Sequence, residues 1–348
     1  MKQIPHNKPT LSNEEKVSVA RVLESGYISY GKVGKEAESA LSEFIGLGIQ
    51  SRLVNSGTTA LYLALLWLKE EYQIEKVLIP TYTCTAVLNA IMMADLKAVV
   101  LDVDNQLNLS IDTVMPYYDS KSLVILTNTF GYPADIEKFV DKGILFVEDN
   151  AQSIGAKYLS REVGNFGIIS TYSFYATKPI TSGYGGAVCS KQESFIRWVD
   201  DYINFDMPKT YKPRFNFLLS DINSAVLLEQ IKKYPLLLAK RKQIVAKYQN
   251  AFGNNVLDSA SDTKIPNYYR IMLKVNNAGL YVQKLRDKGI QVIQPLLREE
   301  LLHVYLNLPI SHFKQAESNI NQYISLPAYP SLTSEDIQYI IENIGGLL

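Results

Sequence analysis

Three short stretches carry side chains whose types and spacing point to chemistry. In "NSGTTAL" a run of small residues, Asn55 to Thr59, opens what reads as a helix after an apolar strand. Free backbone N–H groups at a helix N-terminus attract anions, and small side chains let a phosphate come close to them. In "EDNAQSIGA" Glu148 and Asp149 follow the apolar run "ILFV", at the carboxyl end of a strand. In "SFYATKPITSGYGG" a single lysine, Lys178, sits between Thr177 and Pro179, ahead of Gly183, Gly185 and Gly186. Each has an ordinary explanation by itself: a helix cap, a solvated carboxylate, a surface cation. Placed on one edge of one sheet, they supply an anion site, a carboxylate and an amine.

That set is what pyridoxal phosphate (PLP) requires. The phosphate anchors the cofactor, a carboxylate keeps the pyridine nitrogen protonated so that the ring draws electrons, and a lysine forms the Schiff base. Other chemistries lack their signatures. "GYGG" matches neither the dinucleotide fingerprint nor a P-loop, which ends in GK[ST]. His6, His303 and His312 are isolated, with no HExxH or other metal spacing, so no metal is expected. Asp102 and Asp104 in "LDVD" read as caps or solvated acids rather than as a metal or ribose site. No GxSxG elbow and no cysteine–histidine signature occurs.

The elements that must position these residues follow from the apolar pattern. Ser12 and Glu15 have capping-box spacing, which predicts a helix from Asn13 to Glu24. From Val54 onward, short apolar runs ("KVLIP", "KAVVLDVD", "SLVILTN", "ILFVEDN") alternate with helical periods ("TTALYLALLWLKEEY", "AVLNAIMMA", "DIEKFVDK"). Such alternation predicts a largely parallel sheet with helices on both faces, and ligands then bind beyond the carboxyl ends of the strands. Two further helices are expected over Asp221 to Lys233 and Leu236 to Ala251, broken at Pro235. Beyond Phe252 the order changes to a strand "YRIMLKV", a helix "GLYVQKLRDKG", a short strand "IQVIQP" and a last helix from Ser334 to Ile344. The change divides the chain into a large α/β domain, residues 1–235, and a smaller α+β domain, residues 236–348.

With 348 residues, 47% hydrophobic and 35 basic against 35 acidic side chains, the composition is that of an ordinary globular protein. Zero net charge argues against bulk nucleic-acid binding. No apolar run reaches the ~18 residues that span a bilayer. "MKQIPHNKPTLSNEEK" lacks the apolar core of a secretion signal. The two cysteines, Cys84 and Cys189, have no disulfide or zinc spacing, and a reducing cytoplasm is the expected location.

"NSGTTAL", "EDNAQSIGA", "SFYATKPITSGYGGAV" and "RFNFLLSDINSAVL" resemble, in order, the signatures of the DegT/DnrJ/EryC1/StrS sugar aminotransferases. The opening "NKPTL…ESGYISYGK" and the closing "ISLPAYPSLTSEDI" are similar to that family's two ends, so the resemblance covers nearly the whole chain. It implies fold type I of the PLP-dependent transferases, the aspartate-aminotransferase-like fold with a mostly parallel seven-stranded sheet, and a homodimer whose active sites both subunits build. It implies that Lys178 carries PLP as an internal aldimine, that Asp149 partners the pyridine nitrogen, and that Gln152 approaches the ring hydroxyl. Gly57, Thr58, Thr59 and Ser173 match the phosphate-binding positions, and Asn216 matches an asparagine that reaches the neighbouring subunit's phosphate.

Two positions and one segment depart from the family's pattern. Cys84, in "IPTYTCTAV", stands where an aromatic often stacks on the cofactor, and the expectation is that Cys84 takes that place. Tyr184 replaces an acidic residue, and "IQVIQPLLREELL" lacks the usual histidine-containing segment. The implied reaction moves an amino group from an amino acid, glutamate by analogy, to a nucleotide-linked keto sugar of the 4-keto-6-deoxy type, in amino-sugar and surface-polysaccharide (lipopolysaccharide) synthesis. Tyr27, Ser29, Tyr30, Asn204, Tyr211, Lys212 and Arg214 are the candidate substrate contacts. The alternative is a family member that binds PLP without transamination, as a dehydratase or a regulator. Lys178 favours the transaminase, because the dehydratase branch has histidine there.

Overall fold

A computed structural model describes residues 2–206, 208–258 and 260–347. Its centre is a seven-stranded sheet: β1 (Gln50–Val54), β2 (Lys76–Pro80), β3 (Lys97–Leu101), β4 (Ser122–Thr127), β5 (Phe146–Asp149), β6 (Ile169–Ser173) and β7 (Gly186–Ser190), in the spatial order β1-β7-β6-β5-β4-β2-β3. Strands β2 to β6 pair in parallel, and β7 runs antiparallel to both its neighbours. Helices cover both faces, which is why β4 and β5 are buried along their whole length and read as unbroken apolar runs. The carboxyl ends of six strands therefore open on one edge, as the sequence pattern predicts.

The N-terminal helix spans Asn13–Ser25, and its capping box is formed: Ser12 N–H donates to Glu15 Oε2 over 2.9 Å. The break expected at Pro235 does not occur. One helix runs from Asp221 to Phe252 with Pro235 inside it, so the expected domain boundary falls within a continuous element. Proline forfeits a helical hydrogen bond at a cost of about 3 kcal/mol. Packing offsets that cost on both sides: Leu227, Leu228, Ile231, Tyr234 and Leu237 are buried in one cluster with the helices Asn13–Ser25 and Lys32–Ile45 alongside. Tyr234, next to the proline, donates its hydroxyl to the Ile154 carbonyl over 2.6 Å.

Beyond Phe252 a two-stranded antiparallel ribbon pairs Ile271–Lys274 with Tyr323–Leu326, flanked by helices Ala278–Asp287 and Ser334–Gly345. "IQVIQP" forms two isolated bridges, Ile290 to Ile4 and Ile293 to Ser325, instead of a strand. The largest apolar cluster runs continuously from Ile4 through the sheet to Ile344, so the smaller unit packs directly onto the large one.

Candidate active site

The edge of the sheet holds a cavity of about 470 Å³, within the usual size of small-molecule sites. Gly57, Thr58, Cys84, Asp149, Gln152, Ser173 and Lys178 all line it.

One end of the cavity is built by close backbone approach. After β1 the chain turns into helix Gly57–Tyr72, whose first amides have no partner within the helix. Ser56 Oγ accepts from Thr59 N–H at 3.0 Å. Ser173 ends β6, and both Ser173 and Val54 face Gly186 across β7. A Cβ on Gly57 would lie 2.8 Å from Ser173 Cβ, and one on Gly186 would lie 2.3 Å from the Ser56 carbonyl oxygen. Only glycine fits at either position. The result is a small cradle of backbone N–H groups and a hydroxyl, suited to a phosphate.

The middle of the cavity carries the titratable groups. Strand alternation turns Glu148 and Asp149 to opposite faces. Glu148 is fully buried and accepts from the amides of Gly164, Phe166 and Gly167, which makes it a loop anchor. Asp149 faces the cavity and accepts from Ala151 N–H at 3.0 Å. Burial pushes its carboxyl above the usual range, against the smaller downward pulls of the Ala151 amide and the Lys178 cation. A buried carboxylate with one oxygen unshared is chemically incomplete, and a protonated ring nitrogen is the kind of partner it lacks. Gln152 accepts from Phe130 N–H through Oε1 at 2.7 Å, leaving its NH₂ group as the donor towards the cavity. The hydroxyls of Tyr82 and Thr171, also in the lining, are buried and without partners among the described residues.

Sequence reasoning missed the far wall. Tyr269 and Arg270 precede strand Ile271–Lys274 of the second sheet and line the same cavity, with Pro295 and Leu296. Lys178 Nζ lies 5.7 Å from the centroid of the Tyr269 ring, and Arg270 Cζ lies 5.2 Å from it. Burial pushes the Tyr269 phenol up, yet Arg270, Lys178, Arg241 and a hydrogen bond from Thr177 together hold it below its ordinary value. The rule of looking beyond strand ends pointed only to the large sheet, and no motif marks "NYYR". Tyr184, without a role in the sequence, stands at the rim with its ring edge-on to Tyr175, 5.6 Å between centroids.

Cys84 is exposed, caps helix Thr85–Met93 and lines the cavity. Thr59 does not line it: its hydroxyl donates to Asn55 Oδ1 at 2.6 Å and so belongs to the helix cap. The candidate substrate contacts are also elsewhere in the single chain. Tyr30 donates to Glu38 at 2.9 Å, Lys212 and Arg214 both pair with Asp201, and Tyr27, Ser29, Asn204, Tyr211 and Asn216 are exposed. Asp102 caps Gln315 and Ala316, and Asp104 accepts from Gln106 and Asn108 within its own turn. Among the described residues no group of three or more histidine, cysteine or acidic side chains is placed to hold a metal, and no helix is long and apolar enough to cross a membrane.

The sheet order, the single antiparallel strand and a cavity holding a lysine, a buried carboxylate and a phosphate cradle define a fold-type-I α/β protein of the PLP-dependent kind. A Streptococcus pneumoniae protein solved in PLP, PMP and cofactor-free forms shares this fold, with a TM-score of 0.91 for the PMP form at 23% identity, covering 99% of this chain and 98% of that one. The family model for the DegT/DnrJ/EryC1/StrS aminotransferase family matches residues 9–345, and the chain belongs to that family. It is 27% identical to GDP-perosamine synthase of Escherichia coli O157:H7, over 99% of this chain and 98% of that one. It is also 27% identical to UDP-4-amino-4,6-dideoxy-N-acetyl-beta-L-altrosamine transaminase of Helicobacter pylori, over 99% and 97%. The protein is accordingly an enzyme of the aminotransferase class.

Proposed function

We propose that the chain transfers an amino group from an amino acid, glutamate by family analogy, to a nucleotide-linked keto sugar of the 4-keto-6-deoxy type, for amino-sugar and surface-polysaccharide synthesis. The names of the two relatives, one GDP-linked and one UDP-linked, support a nucleotide sugar and leave the base open. The observation that carries the reading is the convergence of Lys178, Asp149 and the Gly57–Ser173 cradle on one cavity.

These residues fit PLP. Gly57, Thr58 and Ser173 would hold its phosphate, Asp149 its ring nitrogen, Gln152 its hydroxyl, and Lys178 its aldehyde carbon covalently, with Cys84 beside the ring. When bound, PLP supplies a carbon that accepts an amino group and a ring that draws electrons away from it. Asp149 would keep the ring nitrogen protonated. Lys178 Nζ would take the proton from the donor's α-carbon as general base and hold it, as the conjugate acid, for delivery during amino transfer. The apolar lining, including Leu61, Val87 and Phe130, excludes water from that transfer.

Residues 1–235 would then hold the cofactor, while residues 236–348 close the cavity with Tyr269 and Arg270. In a homodimer Asn216, Lys212, Arg214 and their neighbours would serve the second subunit's site, which accords with the exposure of Tyr211, Lys212 and Asn216 in the single chain. The purified protein should absorb visible light with PLP bound, and borohydride should fix the cofactor to Lys178. Glutamate and a panel of nucleotide keto sugars should yield an amino sugar, and Lys178→Ala should abolish turnover. A protein that takes up no PLP, or a variant that transaminates at the wild-type rate, would sink the reading.

A further inference from the structure

Thr171 stands out among the groups in the cavity wall that this mechanism leaves unused. It sits inside β6 and lines the cavity, yet its Oγ1 is buried with no hydrogen-bond partner among the described residues. An unpaired buried hydroxyl is costly, so the position asks for an acceptor. The sheet register limits what that acceptor can be. On the β7 side Thr171 pairs with Val188, whose side chain offers none. On the β5 side it pairs with Asp149. Paired residues of neighbouring strands project from the same face, with the strands about 4.8 Å apart, and one turn of the Thr171 χ1 angle can bring the hydroxyl to the carboxylate. Asp149 has room for the bond: among the described residues it accepts only from Ala151 N–H, through Oδ1 at 3.0 Å. Its other flank is Thr127 of β4, whose hydroxyl is already paired with Thr129 Oγ1 at 3.1 Å.

We propose that Thr171 is a positioning residue whose hydroxyl donates to the Asp149 carboxylate and holds it, ionised and oriented, for the cofactor's ring nitrogen. The proposal rests on the transaminase reading above and deepens it. Burial works against the ionised form of Asp149, and the Lys178 cation and the Ala151 amide pull the other way. A buried ion pair is favourable only when further hydrogen bonds satisfy the lone pairs that the partner does not use. Ala151 N–H supplies one such bond, and Thr171 O–H supplies the second. The two donors come from different segments, the loop after β5 and the middle of β6, so together they fix the carboxylate against rotation. The neighbouring Ser170 turns to the opposite face, where its hydroxyl donates to the Cys189 carbonyl, and takes no part.

The test compares two ligands titrated by calorimetry into the full-length, cofactor-free protein: PLP, and a PLP analogue with C–H in place of the ring nitrogen. Thr171→Val keeps the shape of the side chain and removes the hydroxyl. It should weaken PLP binding about 20-fold and leave the analogue within about twofold of wild type, because the analogue's ring makes no use of an ionised carboxylate. Thr171→Ser, which retains the hydroxyl, should restore PLP affinity. In an Asp149→Asn background Thr171→Val should cost no further PLP affinity, since the two residues act as one unit. Thr171→Ala provides the same readout if the valine variant does not fold. A variant without the hydroxyl that binds both ligands as wild type does would overturn the role of Thr171 and leave the transaminase reading intact. So would one that weakens both alike, as a hydroxyl touching the phosphate would. A wild-type protein that takes up no PLP would overturn the reading beneath it.

Discussion

Gly186→Ala tests whether the cradle exists because two chain segments touch. Gly186 lies in β7 between Val54 of β1 and Ser173 of β6. An added methyl would meet Ser56 O at 2.3 Å, Ser56 C at 2.4 Å and Gly57 N at 2.6 Å. All three are backbone atoms, so no flexible side chain can swing away. Overpacking costs about 1–3 kcal/mol where side chains can adjust, and a backbone clash belongs at the upper end. With an unfolding entropy of roughly 2.1 cal/mol/K per residue, a chain of 348 residues loses about 4 °C in Tm for 3 kcal/mol. The relief available is to push Ser56 and Gly57 outward, which opens the cradle. The variant should therefore lose PLP affinity as well as stability, measured by thermal unfolding and by titration of the cofactor's visible absorbance. Gly345→Ala is the control: it lies in the last helix with no atom within 4 Å of an added Cβ, and it should be neutral or stabilising by up to ~1 kcal/mol. A Gly186→Ala protein with unchanged Tm and PLP affinity would refute the packing argument for the cradle.

Two further outcomes follow from burial. A carboxyl raised in the native state binds its proton more tightly there than in the unfolded chain, so ionised Asp149 costs stability once pH rises above the unfolded value of ~3.9. Cofactor-free Asp149→Asn should thus melt higher than wild type at pH 7, the gap closing as pH falls towards 4, while its PLP affinity drops; a lower Tm at pH 7 would contradict this. Cys84 is exposed in the cavity and Cys189 is fully buried with its thiol pushed up by burial. One thiol per native chain should react with a thiol reagent and two after unfolding, PLP should protect the first, and Cys84→Ser should remove it; reaction that PLP leaves unaffected would place Cys84 outside the cofactor's footprint.

Periodicity and strand ends were enough to read the sheet, because a parallel strand covered on both faces has to be apolar throughout, as "SLVILT" is. The same logic placed Asp149 and Lys178 at one edge, since Asp149 ends its strand and Lys178 follows the end of the next one in the sheet. Local rules failed where packing outweighed them. Pro235 should have ended a helix, yet Tyr234 and Leu237 hold the chain helical on both sides of it. Thr59 resembled a phosphate contact, but Asn55 one turn earlier takes its hydroxyl. The pairing of Lys212 and Arg214 was not legible, because nothing in "WVDDYI" distinguishes Asp201, which pairs with both, from Asp200, which pairs with Arg52.

The wall formed by Tyr269 and Arg270 was hidden for a different reason. A strand-end rule assigns function by position within one sheet, whereas this wall comes from a second sheet docked over the first. Its residues gain meaning only from what they face: an arginine before a strand is ordinarily a solvated flank, and here its Nε is buried without a partner among the described residues. The docking is fixed by contacts that carry no chemistry of their own. The Asn267 side chain donates to the Gln152 and Ile154 carbonyls at 3.0 and 2.8 Å, and Asn267 N–H donates to Gly131 O at 3.2 Å. These bonds tie the segment bearing Tyr269 and Arg270 to the loops bearing Gln152 and Phe130. The large-sheet half of the cavity is thus legible from sequence because Asp149 and Ser173 end strands and Gly57, Gln152 and Lys178 lie within a few residues of a strand end. The far wall depends on how the second sheet packs over the first, and a linear pattern does not encode that.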